Sequence, residues 1–246
     1  MTIVETPWER RNLGVKSSAV LDFKRDDTPS DIDFSRLSSF SYLEARVPVN
    51  KMDLVQTLTD AGFRFSEVQF NLAADLNELE SENPFSKYAD AFSYHIALPE
   101  EVAAIYHEIR FSNIFTTDKI ALNPHFGPSV SGNRYALWLE NEIAQDTAFP
   151  FVVDYQNTPI GFFVLKKINE RTGDSMLAGL FNTQESRGSG FSTILFPMVE
   201  AKKRNMKKII TSVSSNNPDS LKVHLALGYK ILKMSYILSR VIPDYS

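Results

Sequence analysis

The chain contains no cysteine in its 246 residues, which excludes disulfide staples, a thiol nucleophile and thiolate metal sites. Long apolar runs are missing as well. No uninterrupted hydrophobic stretch approaches the roughly 20 residues of a membrane span, and the first residues lack the basic-then-apolar order of a secretion signal. A surplus of positive charge is also absent: 26 Lys and Arg against 30 Asp and Glu give a net charge of -4, which argues against a surface built for nucleic acid. The 4 histidines show no ligand-like spacing, so no metal site is expected. These absences lead us to expect a cytoplasmic protein without membrane or nucleic-acid partners, whose chemistry uses oxygen and nitrogen groups.

Hydrophobic residues make up 43% of the chain, enough for the core of one large domain or two small ones. Two blocks flank an acidic stretch, residues 75–90, where Glu78, Glu80, Glu82, Asn83 and Pro84 interrupt any apolar periodicity; it reads as a linker or exposed loop. The first block, residues 1–93, reads as a small α/β domain. It holds a strand from Tyr42 to Val49, a helix from Lys51 to Asp60 stopped by Gly62, and an alternating strand from Phe63 to Leu72. The second block, residues 94–246, reads helix, loop, helix, three strands, helix, strand, helix, strand. Val102, Ile105, Tyr106 and Ile109 mark its first helix, and Tyr135, Trp138, Leu139 and Ile143 its second. Gln156-Asn157-Thr158-Pro159 reads as a hairpin connection, and Pro197 is expected to kink the helix that contains it.

The most informative run is Arg187-Gly188-Ser189-Gly190-Phe191-Ser192, between a strand ending near Asn182 and a helix carrying Ile194, Leu195, Met198 and Val199. Glycines at such a strand-to-helix turn let successive backbone N–H groups converge on an anion at the helix N-terminus, and a pyrophosphate suits it best. Downstream lie Asn217-Pro218-Asp219-Ser220 and Leu227-Gly228-Tyr229-Lys230.

These residues resemble the GNAT superfamily of acetyl-CoA-dependent N-acyltransferases, whose phosphate-binding pattern is Arg or Gln, two residues, Gly, one residue, then Gly or Ala. Arg187 and Gly190 match it, and Ser192 stands at the last position. Asn217 and Leu227-Gly228-Tyr229 are similar to the family's later Asn and Leu-Gly-Phe. The first block, together with the segments from Asp118 to Pro124 and from Arg134 to Trp138, is similar to the TDP-fucosamine acetyltransferases within that superfamily. The resemblance implies an α/β fold of α+β type: a mixed, mostly antiparallel, splayed sheet flanked by helices, after a small N-terminal domain that helps bind the acceptor. It implies acetyl-CoA as cosubstrate, no metal, and direct attack by the amine of a nucleotide-linked amino-deoxysugar in a ternary complex.

By the same resemblance Leu180 supplies a backbone N–H to the thioester oxygen and Asn182 contacts the pantetheine arm. Arg187, Gly188, Ser189, Gly190, Phe191, Ser192, Asn217 and Ser220 hold the cofactor. Arg134, Tyr135 and His125 are candidates for the acceptor, and His224 stands where many members carry a tyrosine general acid. From the residues alone a helical histidine beside Val223, Leu225 and Leu227 is more often a packing or capped residue than a catalyst, and no base is named. A homodimer is left open, as are a different small amine or protein terminus as acceptor and a non-catalytic module binding CoA or a sugar nucleotide.

Overall fold

A computed structural model describes residues 1–79, 85 and 91–242. The expected linker lies largely outside the described residues, and its first residue, Asp75, ends a strand. In chain order the elements are β1 (Thr2–Glu5), α1 (Pro7–Leu13), β2 (Ser18–Asp22), a 3-10 turn (Pro29–Asp31), α2 (Phe34–Leu37), β3 (Tyr42–Pro48), α3 (Met52–Asp60) and β4 (Arg64–Asp75). There follow β5 (Phe92–Ile96), α4 (Pro99–Phe111), α5 (Gly127–Ala144), β6 (Ala148–Tyr155), β7 (Thr158–Asn169) and β8 (Thr172–Leu180). The chain continues with α6 (Ser192–Lys203), β9 (Lys208–Ser214), α7 (Pro218–Ala226) and β10 (Lys230–Val241).

The fold is the expected mixed sheet flanked by helices. Its 10 strands run in the order β1-β2-β3-β10-β4-β9-β8-β7-β6-β5, and strands from the two blocks alternate at its centre. β10 pairs antiparallel with β3 on one side and with β4 on the other. The residues before Tyr42, for which the sequence offered no elements, extend the sheet through β1 and β2, the latter parallel to β3.

Local chemistry explains the connections. Gly62 at φ 85 takes the left-handed conformation that ends α3, which any side chain would strain. Gln156 and Asn157, both with positive φ, form the two-residue turn joining β6 to β7, with Tyr155 opposite Thr158. Pro197 is buried within α6, and the helix continues past it to Lys203. One face of the sheet packs Leu72, Phe163, Ile209 and Val213 against Ile194, Leu195 and Met198 of α6. The other packs Phe162, Val164 and Leu177 against Ile105 and Ile109 of α4 and Ala136 and Leu139 of α5.

A buried ion pair fastens the N-terminal helix to this second layer. Arg134 of α5 donates from Nε and Nη2 to both carboxylate oxygens of Glu9 in α1, at 2.5 to 2.9 Å. Arg134→Met should leave Glu9 as an uncompensated buried charge and lower the free energy of unfolding by about 3 kcal/mol in urea denaturation. The double variant with Glu9→Met should recover most of that loss.

Candidate active site

The site grows from one parting in the sheet. β8 and β9 run parallel but pair only from Thr172 to Asp174 and from Lys208 to Ile210, while both continue onward, to Leu180 and Ser214. Thr211 Oγ1 donates to Ser175 O at 3.0 Å just past the last pair, and the strands then diverge. On its other side β8 stays paired with β7 up to Leu180, opposite Gly161. Phe181 N–H donates to Ile160 O at 2.8 Å. Because N–H directions alternate along a strand, the N–H of Leu180 points the opposite way, into the opening. Gly161 makes the close approach there, since a Cβ on it would lie 2.5 Å from Gly179 O.

At the end of the opening the chain turns into α6. Gly188 has φ +77, Ser189 N–H donates to Ser186 O, and Ser192 N–H and Oγ both donate to Ser189 O, at 2.9 and 2.7 Å. The N–H groups of Gly188, Gly190 and Thr193 have no protein acceptor among the described residues, so the turn offers unpaired donors at a helix N-terminus. Arg187 is exposed beside them. Phe191 is buried against Phe85 and Phe92, at 4.7 and 5.2 Å between ring centroids, and so anchors the turn by its ring. Asn182 is exposed just after β8. Asn217 caps α7, its Oδ1 accepting from Ser220 N–H at 3.2 Å.

His224 is buried in α7. Its Nδ1 donates to Ser220 O at 2.8 Å, which leaves Nε2 as the lone-pair nitrogen of the neutral ring, and its face meets Tyr229 edge-on at 4.9 Å. Burial holds its pKa below the ordinary histidine value, against the Ser220 bond that favours protonation. His95 is partnered: Glu101 and Asp154 flank its two nitrogens at 3.0 Å, and these hydrogen bonds raise its pKa.

The acceptor candidates separate. Arg134 is occupied by Glu9, and Tyr135 packs on Phe115 at 4.4 Å with its phenol pKa raised by burial. His125, by contrast, is exposed and lines a pocket of ≈ 340 Å³ between the start of β4 (Arg64, Phe65, Ser66), the loop carrying Lys119 and Asn123, and Ser239 of β10. Behind it lies a charged group absent from the sequence reading. Lys119 reaches Glu44 at 2.6 Å; burial works to raise the Glu44 carboxyl, but Lys119 and Arg46 prevail and hold its pKa at about 2. Glu67 of β4 is buried and accepts from Ser214 Oγ at 2.7 Å. Alternation alone places Glu67 on one face of a strand; which strands flank that face is decided by distant segments.

A parallel pair that parts beside a glycine turn at a helix N-terminus is the architecture of an acyl-CoA-dependent transferase cleft. The pattern of the acetyltransferase (GNAT) domain matches residues 109–239, more than half of the chain. The chain therefore belongs to the GNAT acetyltransferase family, whose members move an acetyl group from acetyl-CoA to an amine. No curated protein matches it. Among solved structures it is similar in fold to a functionally unknown conserved protein from Staphylococcus epidermidis, at 13% identity and TM-score 0.62, covering 98% of this chain and 90% of that one. A GCN5-related N-acetyltransferase from Sphaerobacter thermophilus matches at 11% identity and TM-score 0.57, over 81% of this chain but 59% of its own length. The glucosamine N-acetyltransferase region of a fungal multi-domain β-N-acetylglucosaminidase matches at 16% identity and TM-score 0.57, over 81% of this chain and 25% of that one. Among the described residues no helix is long and apolar enough to cross a membrane, and no cluster of three or more His, Asp or Glu could hold a metal ion.

Asp174, at the point of parting, has its pKa pushed up by burial to about 6 from 3.8, against the pull of Lys166. The folded state thus favours the protonated form. The stability this contributes is full below about pH 4 and is lost as pH rises through 6. Asp174→Asn should therefore raise stability at pH 8 by about 2 kcal/mol and leave it nearly unchanged at pH 4, as read by thermal or urea denaturation at the two pH values.

Proposed function

We propose that this enzyme acetylates the amine of a nucleotide-linked amino-deoxysugar. The observation that carries the reading is the pocket beside β4. It combines the cationic side chain of Arg64, the imidazole of His125 and the ring of Phe65, which is 56% exposed. A nucleoside diphosphate offers the complementary groups: phosphates for the guanidinium and a flat base for the aromatic face. The fold shared with a glucosamine N-acetyltransferase region is consistent with an amino-sugar acceptor.

On this reading acetyl-CoA enters through the parting, its pantetheine arm alongside Leu177 to Asn182 and its pyrophosphate on the free N–H groups of Gly188, Gly190 and Thr193, with Arg187 adding charge. The Leu180 N–H faces the thioester oxygen. A fixed donor aimed at an oxygen that gains charge in the transition state is commonly worth about 3 kcal/mol, and a backbone N–H costs no reorganisation when the charge develops. The amine attacks the carbonyl carbon directly, and CoA leaves as the thiolate. His224 is the proton donor to that sulfur. With Nδ1–H held by Ser220, the proton it delivers is carried on Nε2 of the imidazolium, so donation falls away at lower pH than for an ordinary histidine.

Three measurements test these assignments. Thiol release from acetyl-CoA should be supported by TDP-linked amino-deoxysugars at far lower concentration than by glucosamine or spermidine; equal KM values for linked and unlinked amines would remove the nucleotide from the reading. Arg64→Ala should raise the KM for the linked sugar about tenfold without changing that for acetyl-CoA, and Arg187→Glu should do the reverse. His224→Tyr should extend activity toward alkaline pH, because a phenol keeps its proton there; an unchanged pH profile would make the histidine a packing residue.

A further inference from the structure

The amine reaches the enzyme largely as an ammonium ion, and a proton must leave before it can attack. We propose that Glu67 is the base that removes this proton. It belongs to β4, outside the segment that matches the GNAT domain, so the family resemblance assigns it no role. Three features of its position carry the proposal. Ser214, its only hydrogen-bond donor among the described residues, is the last residue of β9 and stands at the open end of the parting. Ser66, its neighbour in β4, and Lys119 both line the acceptor pocket. The carboxylate is buried outside the pocket lining, between Lys119, which lines the pocket, and Ser214 at the open end of the parting. Asn216 completes the arrangement from the far side: its N–H donates to Ser214 Oγ at 3.1 Å and its Nδ2 donates to Ser66 O at 3.3 Å. Ser214 Oγ reaches two acceptors, Glu67 Oε2 at 2.7 Å and Thr117 O at 3.4 Å, and the shorter contact gives its hydrogen to Glu67; among the described residues Oε1 has no protein donor.

The charged groups facing Glu67 from packed elements are Lys119 and Asp118 of the loop after α4 and Glu44 of β3. Burial raises its pKa, the Ser214 bond and Lys119 oppose the rise, and Glu44 and Asp118 add to it. A carboxylate made more basic in this way is a stronger proton acceptor near neutral pH than an exposed one.

In the step, one N–H proton of the ammonium passes to Glu67 and the freed lone pair forms the C–N bond to the thioester carbonyl carbon. As the tetrahedral intermediate collapses, the C–S bond breaks and the sulfur takes the electron pair. The second nitrogen proton passes to solvent water as the amide forms, and the thiolate takes the Nε2 proton of the His224 imidazolium, which is replaced from solvent. Glu67 returns its own proton to solvent through the acceptor pocket. The proposal rests on acetyl transfer to an amine and holds for either a linked or a free sugar.

The test is steady-state thiol release by full-length protein across pH, with a TDP-linked amino-deoxysugar and separately with glucosamine, which separates failure of the acceptor reading from failure of this one. Glu67→Gln, which keeps an acceptor for Ser214, should lower kcat by about 100- to 10,000-fold at pH 7 with the acetyl-CoA KM unchanged, and its rate should keep rising with pH where the parent levels off. Ser214→Ala should retain most of kcat but move the acidic limb of the profile to higher pH, since it removes a bond that favours the carboxylate. Infrared difference spectra should show a protonated-carboxyl band that persists above the pH at which ordinary glutamates ionise and that Glu67→Gln lacks; this reading needs no acceptor. A folded Glu67→Gln protein with the parent's kcat and pH profile on either amine, or the absence of that band, would overturn the proposal.

Discussion

Everything the cleft does depends on the short parallel ladder between β8 and β9. The two strands share only Thr172 to Asp174 against Lys208 to Ile210. Beyond it their facing edges hold backbone donors and acceptors with no ladder partner, and such groups are costly to leave unpaired in a protein interior. A chain that maintains an unpaired edge in the middle of a sheet invites an extended ligand to complete it. The pantetheine arm of acetyl-CoA, with its own amides, is such a ligand. The helices divide about the opening: α6 packs on one face of the sheet, while α4 and α5 pack on the other.

The edge can stay open because the rest of the sheet is braced on both sides. β7 holds β8 through to Leu180, helped by the close backbone approach at Gly161. On the far side β9 is held along its length by β4, from Asp75 opposite Lys208 to Gln69 opposite Ser214. β4 is in turn locked by β10, which also pairs β3. The first block of the chain is therefore part of the frame that keeps β9 in place, and its strands bring Glu44 to Lys119, Glu67 to Ser214 and Arg64 to the pocket that His125 lines. The charges differ: Glu44 forms ion pairs with Lys119 and Arg46, whereas among the described residues Glu67 accepts a hydrogen bond only from the Ser214 hydroxyl. Two buried carboxylates, in strands on either side of β10, thus have pKa values pushed in opposite directions.

Much of this was legible in the sequence. Apolar periodicity marked the helices Pro99–Phe111 and Gly127–Ala144, turn residues marked the hairpin at Gln156 and Asn157, and the order strand, helix, strand at the end agrees with the structure. The Arg187 to Ser192 turn was legible because its signal is local: glycine at a positive φ, small residues at a helix start, and free N–H groups all follow from adjacent positions. The residues before Tyr42 were not, since short strands such as Thr2–Glu5 draw their stability from pairing and carry little pattern of their own. Arg134 and Tyr135 lie on the segment that suggested acceptor contacts, yet Arg134 is taken up by Glu9, a residue 125 positions away.

By itself, then, the order of residues determined most elements after Tyr42, the glycine turn and the membership in an acyl-CoA-using family, because each rests on interactions between residues close in the chain or on a contiguous motif. Only the tertiary structure decided that β4 lies between β9 and β10, that Arg134 is an internal ion pair while His125 and Arg64 share a pocket, and that Glu67 meets Ser214 across 147 positions. Those outcomes depend on strand order and on which buried charge finds which partner. Both are set by the packing of segments far apart in sequence, where a side chain's face is visible in the local pattern but its neighbour is not.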